Sequence, residues 1–350
     1  MMKTYRIGIV GCGGISSQRA DDSPLFGSNP WSHAKAYAEI PECQVVAVSD
    51  IVKESTERFV NTWGDVWKGV NTYADHKEML TQEKLDIVSV ATPDNKHADI
   101  LIDVANAGVK GIFCEKPLAT KIQDADRMIK AIEENHVVIN VDHTRRWNPI
   151  FHEARNLIRN GKIGNLHTIF ATLGGPRAMM FRNGTHIVDM ICFMAESMPA
   201  YVFAELEDGY SDYWEYKGDG GYDPKTEPAV SGYIHFENGV RAFYNCDKRI
   251  PAMSDWELTG STGRIIVNDT RCELWTQSKE NGLSKRLIHP PFYRYTGMEC
   301  AIREIIRCIG TGEKTTSDAR ESIKTVEIML GMLESQRRGN TKVKLPLERS

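Results

Sequence analysis

No two of the eight cysteines (Cys12, Cys43, Cys114, Cys192, Cys246, Cys272, Cys300 and Cys308) are spaced as C-x-x-C, and most lie in or beside apolar runs. That pattern argues against a cysteine metal site or a disulfide framework and fits reduced thiols packed in an interior, so no metal is expected. Charge of one sign is lacking as well: 43 Lys and Arg stand against 47 Asp and Glu, a formal net charge of -4. Without a basic field, neither nucleic acid nor an anionic membrane surface is an expected partner. Apolar runs reach strand length only, far short of the roughly 20 residues that cross a bilayer. The first residues lack the basic-then-apolar order of a secretory signal. The expectation is a cytoplasmic protein that meets small molecules and copies of itself, as a homodimer or homotetramer.

What is present begins at the first strand. Tyr5-Arg6-Ile7-Gly8-Ile9-Val10 is a β-rich apolar run, followed at once by Gly11-Cys12-Gly13-Gly14-Ile15-Ser16. G-x-G-x-x-S in this position reads as a strand turning tightly into a helix N-terminus, where backbone N–H groups hold a dinucleotide pyrophosphate. Gly11 serves the tight turn and Gly13 the close approach of backbone to phosphate, while Ser16 takes the place of the third glycine. Gln18 to Ser32 is polar and punctuated by Pro and Gly, so it reads as an inserted loop placed to cover a cofactor or reach a neighbouring subunit. A second strand, Gln44 to Ser49, ends in Asp50. An acid there accepts hydrogen bonds from the adenosine ribose hydroxyls and repels a 2′-phosphate, which favours NAD over NADP. The other reading of Asp50 is a cap for the helix Lys53 to Val60.

The alternation continues through a strand at Asp86 to Ala91, a turn at Thr92-Pro93-Asp94-Asn95-Lys96-His97, and a helix that stops at Gly108. A further strand, Gly111 to Cys114, ends in Glu115-Lys116-Pro117, and another helix and strand follow up to Val141. Mostly apolar strands alternating with helices predict a doubly wound parallel sheet of Rossmann type, an α/β domain over residues 1–147. From Asn148 the texture changes to short alternating runs joined by Gly and Asn turns, with helical periodicity returning at Cys300 to Ile309 and Asp318 to Ser335. These predict an α+β domain over 148–350 built on a large, mostly antiparallel open sheet. Tyr210 to Pro228 reads as a solvated surface loop in preference to a substrate lid.

The ordered set of Gly11 to Ser16, Asp50, Thr92 to His97 and Glu115-Lys116-Pro117 resembles the glucose-fructose oxidoreductase and inositol dehydrogenase family (Gfo/Idh/MocA). Arg145-Arg146-Trp147-Asn148-Pro149, Gly161 to Gly164, Gly184-Thr185-His186-Ile187-Val188-Asp189 and Glu334 to Gly339 with Leu345-Pro346-Leu347 extend the resemblance over nearly the whole chain. It implies an open sheet used for oligomer contact and final helices that pack back toward the first domain. It also implies NAD held by Gly11, Cys12, Gly13, Gly14, Ile15, Ser16, Asp50, Thr92, Pro93, His97, Glu115, Lys116 and Arg145. A carbohydrate substrate would be held by Lys116, His143, Arg177, Arg182, Asn183 and His186.

Oxidising an alcohol carbon requires the hydroxyl proton to leave as the hydride does, so a base must reach that oxygen. Lys116, at a strand end, fits the group that polarises the hydroxyl, and His186, opening a helix whose dipole disfavours the imidazolium, fits the base. Asp189 looks structural. The resemblance departs at Arg182, where inositol dehydrogenase-like members carry an Asp four residues before the histidine. Arg177 and Arg182, with Arg145 and Arg146, fit an anion clamp, unless they pair with the protein's own acids. The expected activity is an NAD-dependent dehydrogenase acting on a secondary hydroxyl of a sugar, polyol or acidic sugar derivative. The alternatives are a redox-neutral NAD-dependent glycosidase and a non-catalytic dinucleotide-binding regulator.

Overall fold

The structure is a computed structural model that describes residues 4–19, 32–278 and 282–349, so the insertion read at Gln18 to Ser32 is described only at its two ends. The chain divides into two compact units. The first comprises Met1–Ala119, Gln123–Thr144 and Tyr295–Glu321; the second comprises Thr120–Ile122, Arg145–Arg294 and Ser322–Ser350. The segment 295–321 belongs to the first unit, with the parallel sheet.

In the first unit, β1 (Tyr5–Val10), β2 (Cys43–Ser49), β3 (Asn71–Tyr73), β4 (Ile87–Val90), β5 (Gly111–Cys114) and β6 (Val138–Val141) form one sheet in the order β3-β2-β1-β4-β5-β6. Every pairing is parallel. The strand order reverses between β1 and β4, and at such a reversal the connections leave in opposite directions and open a crevice at the carboxyl edge. The helices are α1 (Gly14–Ser17), α2 (His33–Ala38), α3 (Lys53–Trp63), α4 (His76–Gln82), α5 (His97–Asn106) and α6 (Ile122–Glu134). β1, β4 and β5 are buried almost throughout, as strands covered on both faces require. The helix Gly297–Thr311 joins this sheet: Asn140 Nδ2 donates to the Ala301 carbonyl at 2.9 Å and to Glu304 Oε2 at 3.1 Å. A Cβ on Gly111 of β5 would lie 2.6 Å from Ile305 Cγ2, so the glycine permits this close helix–strand approach.

The second unit is built on α7 (Pro149–Arg159), β7 (Leu166–Gly174), α8 (Gly184–Ala195), β8 (Pro199–Leu206), β9 (Val230–Phe236), β10 (Arg241–Asp247), β11 (Met253–Gly260), β12 (Gly263–Asn268), β13 (Cys272–Ser278) and β14 (Gly282–Ile288). After α9 (Gly297–Thr311), α10 (Ala319–Arg337) leads to β15 (Val343–Lys344), and the sheet runs β14-β13-β12-β11-β7-β10-β9-β8-β15. All its pairings are antiparallel except β7 with β10. Strands such as β10 alternate buried and exposed residues, so one face packs on a core that includes Phe151, Ile187, Phe193 and Trp256. Among its buried groups, Arg146 Nε bonds both carboxylate oxygens of Asp189, at 3.0 and 2.9 Å, with the guanidinium over the Phe193 ring.

The segment between β8 and β9, with Trp214 and Tyr222 exposed, is also tied down at several points. Asp219 accepts from the N–H groups of Gly221, Tyr222 and Asp223, knotting the segment on itself. Tyr216 packs edge-on against Phe181, and the fully buried Glu227 accepts from the N–H groups of Phe181 and Arg182 at 2.8 and 3.1 Å. Aromatic anchors and one buried acid fold it down. All eight cysteines are free, seven of them buried, and burial together with the nearby Asp50 charge pushes the Cys12 thiol up to about 12.

Removing one partner of a buried ion pair leaves an uncompensated charge, so Asp189→Ala should lower stability by about 3–5 kcal/mol. Chemical denaturation measures this, and a wild-type midpoint would show that the pair contributes nothing.

Candidate active site at the carboxyl edge of the parallel sheet

Gly11 follows β1 with φ +91°, and a Cβ there would run into the Ala91 carbonyl, so the turn needs glycine on both counts. Its N–H bonds the Ser49 carbonyl at 2.8 Å, which fixes the turn to the end of β2. Ser16 and Ser17, both buried, donate their hydroxyls to the Gly13 carbonyl at 2.9 and 2.7 Å. The turn is therefore held by its own serines. Gly13 and Gly14 are exposed, a Cβ on Gly13 would meet nothing, and the N–H groups of Gly13, Gly14 and Ile15 make no hydrogen bond among the described residues. The insertion begins and ends together: Ser32 Oγ donates to the Gln18 carbonyl at 2.5 Å.

Asp50 is bound into this turn. Its Oδ2 accepts from Cys12 N at 2.7 Å and its Oδ1 from Val52 N at 2.8 Å. The N-cap of α3 is Val52, which makes no side-chain cap, so Asp50 is not the helix cap. Each carboxylate oxygen keeps further lone-pair capacity, so a ribose hydroxyl still finds an acceptor here.

The next strand ends deliver the remaining groups. After β4, the Thr92 hydroxyl is buried with no hydrogen-bond partner among the described residues, and Pro93 is exposed. His97 is buried and bridges two carbonyls, Pro117 through Nδ1 at 2.8 Å and Thr92 through Nε2 at 3.0 Å. It joins the two turns to each other rather than presenting its ring outward. After β5 come Glu115 and Lys116, 5 % and 6 % exposed, and after β6 come Asp142 and His143, both buried. Glu115 turns inward: Oε1 meets His33 Nε2 at 3.3 Å and Oε2 accepts from Lys116 N at 3.2 Å. Asp142 and His33 were not singled out from the sequence. The signal for Asp142 was its place just past a strand end, the same place that marks Glu115.

An exposed turn of open backbone donors, an acid at the second strand end and an orphaned buried hydroxyl together fit a dinucleotide: N–H groups for its phosphates, Asp50 for its ribose and Thr92 for a further polar atom. Lys116 is the cation beside this set.

In the second unit, α8 is apolar nearly all round, and eleven of its twelve residues are buried. The exception is His186, one turn from the N-terminus, with its N–H on the Asn183 carbonyl at 3.2 Å. A helix this apolar is fixed by packing, so its one accessible polar group is held in direction. The four arginines do not form a common clamp. Arg145 makes a two-pronged pair with Asp269 at 2.8 and 2.7 Å, and Arg146 is committed to Asp189. The Arg145 charge is therefore met by a matching carboxylate within the second unit. Arg177 donates to the Gly221 carbonyl at 2.5 Å and accepts Asn183 Nδ2 on its own carbonyl at 2.7 Å. Arg182 packs against Gly221 through its methylenes. The knotted segment thus organises both remaining arginines and Asn183.

Residues 5–143 match the oxidoreductase family with an NAD-binding Rossmann fold, and residues 151–266 match the GFO/IDH/MocA C-terminal domain. The chain is 28% identical over 279 residues to the myo-inositol 2-dehydrogenase of Thermotoga maritima, covering 76% of each. It is 26% identical over 327 residues to the inositol 2-dehydrogenase of Rhizobium meliloti, covering 89% of each. Its fold is similar to that of the WlbA dehydrogenase from Bordetella pertussis, solved with NADH and UDP-GlcNAcA, with a TM-score of 0.74 at 20% identity, covering 99% of this chain and 100% of that one. The glycine turn, the acid after β2, the orphaned Thr92 and these matches lead to one assignment: the chain belongs to the Gfo/Idh/MocA family of NAD-binding oxidoreductases.

Proposed function

We propose that this oxidoreductase is a dehydrogenase acting on a secondary hydroxyl of a sugar, polyol or acidic sugar derivative. The observation that carries the reading is Lys116: a lysine 6 % exposed, on the edge where the glycine turn and Thr92 fit the dinucleotide. A surface lysine without a task stays in water, and one withdrawn from it has its charge directed at a partner. The inositol dehydrogenases among its relatives support a polyol or sugar as the substrate class.

Bound NAD would supply the acceptor for the hydride that leaves the carbinol carbon. Lys116 hydrogen-bonds the hydroxyl oxygen and stabilises the negative charge that develops there. His186 takes the hydroxyl proton on its ring. Thr92 and the turn from Gly13 to Ile15 hold and orient the dinucleotide, and Asp50 selects the unphosphorylated ribose. Arg177 and Arg182, kept at one place by the segment around Gly221, supply positive charge for an acidic substituent of the substrate.

Incubation with NAD and a panel of sugars, polyols and sugar acids should give NADH mole for mole with substrate consumed. Release of an aglycone without net NADH would contradict the proposal in favour of the redox-neutral glycosidase. Lys116→Ala should leave NAD affinity nearly intact and lower kcat by about 10²–10³-fold, the usual loss for one electrostatic stabiliser of a developing oxyanion. Equal turnover in that variant would remove Lys116 from the chemistry. His186→Ala should cost about 10²–10⁴-fold in kcat, recovered in part by added imidazole, as expected for a lost general base.

A further inference from the structure

Behind Lys116 lies a cluster of buried acids that the proposed reaction leaves without a role. Glu115 and Asp142 stand just past the ends of the adjacent parallel strands β5 and β6, where Cys114 pairs with Val141 and Asp142 N bonds the Cys114 carbonyl at 2.8 Å. Equal positions on neighbouring parallel strands bring the side chains side by side. A side-chain nitrogen of His33 and a carboxylate oxygen each of Glu115 and Asp142 lie within 4.8 Å of one another, and Asp142 is 2 % exposed. Around them stand Lys116, the Cys114 thiol, which Asp94 also reaches, and Thr144, whose hydroxyl donates to Asp142 Oδ1 at 3.2 Å; His143 follows Asp142 in the chain. From α2 and β4 come His33, Tyr37 and Ser89. His33 Nδ1 lies 3.0 Å from Ser89 Oγ, which lies 2.9 Å from the Tyr37 hydroxyl. Tyr37 is fully buried, so this hydrogen-bonded chain ends in the core and gives a proton no way out along it.

Two carboxyl groups in contact and out of water do not both ionise, because the second charge meets both the desolvation penalty and the repulsion of the first. We propose that Glu115 and Asp142 hold one proton between them, and that the single negative charge of this pair balances Lys116 and sets the strength with which it polarises the substrate hydroxyl. The inference rests on the role of Lys116 proposed above. Burial first, and the Glu115 charge second, push the Asp142 carboxyl well above the ordinary carboxylate range; Thr144 and Lys116 oppose this. With the proton in place, the pair carries one negative charge against one ammonium. When the pair loses it, a second negative charge holds the ammonium and competes with the substrate oxygen. Glu115 and Asp142 are thus positioning residues that act through Lys116, and no atom of theirs needs to reach the substrate.

The sign of the pH effect follows. A carboxyl raised in the folded state contributes stability that is fully present below the unfolded value of about 3.9 and is lost as pH rises through the raised value. Wild-type protein saturated with NAD should show the infrared C=O stretch of a protonated carboxylic acid well above that value, and Asp142→Asn should lack it. Asp142→Asn, neutral at every pH, should also take up one proton fewer on folding in that window, so its stability falls less steeply with pH. In kcat, the variant should lose the alkaline limb that the pair contributes, a change that a purely structural bond from Asp142 would not produce. The infrared band is read on the wild-type chain, so it decides even where the variant folds poorly. A wild-type spectrum without the acid band, or a variant with the wild-type pH slope, overturns the proposal. Both readouts need no substrate, so a wrong dehydrogenase reading shows separately as absence of NADH.

Discussion

A lysine removed from water must have its charge met, and in the first unit that requirement determines what stands around the carboxyl edge of the sheet. Burying an unpaired ammonium costs far more than any one packing contact returns, and the Lys116 charge acts on Asp142 beside Glu115, which is bonded to His33 and through it to Ser89. The parallel sheet makes this possible. All six strands point the same way, so β1 and β2 deliver the glycine turn and Asp50 while β4, β5 and β6 deliver Thr92, Lys116 and Asp142 to the same edge. Asp50 then ties the turn to its neighbour through the Cys12 N–H, so the dinucleotide cradle is stiff before any ligand arrives.

The second unit meets a different requirement with the same economy of charge. Its helix α8 is held by apolar packing and by the Arg146–Asp189 pair, leaving His186 as its one residue that is not buried. Arg145 is likewise spent on Asp269. Arg177 and Arg182 are each set against Gly221, in the segment knotted around Asp219.

Much of this was legible in the residues. The strands of the first sheet are apolar runs closed by turn residues, and in β1, β2, β4 and β5 the carboxyl end is followed by a residue with chemistry, so the order Gly11, Asp50, Thr92, Lys116 could be read before the structure. The nine-stranded sheet was legible as a class because its strands alternate, while β14, exposed along nearly its whole length, has no buried side to leave a period in the sequence. The three-residue β3 is too short to carry one. Pairings were not legible: nothing local to Arg145 or Arg146 announces Asp269 or Asp189, which lie 124 and 43 residues away. Nor does an acid such as Asp142 reveal that it shares a buried space with Glu115 until the register of β5 and β6 is fixed. The bridge that the His97 ring makes between the Thr92 and Pro117 carbonyls is likewise not announced by its motif.

The central claim is that Lys116 is the cation that meets the substrate hydroxyl. A crystal structure of the protein soaked with NAD and each member of a panel of sugars and polyols tests it most directly. The account predicts a secondary hydroxyl oxygen within hydrogen-bond distance of Lys116 Nζ, with the pyrophosphate on the N–H groups of Gly13 to Ile15. A substrate bound with no hydroxyl near Lys116, its Nζ turned wholly to Asp142, would contradict it.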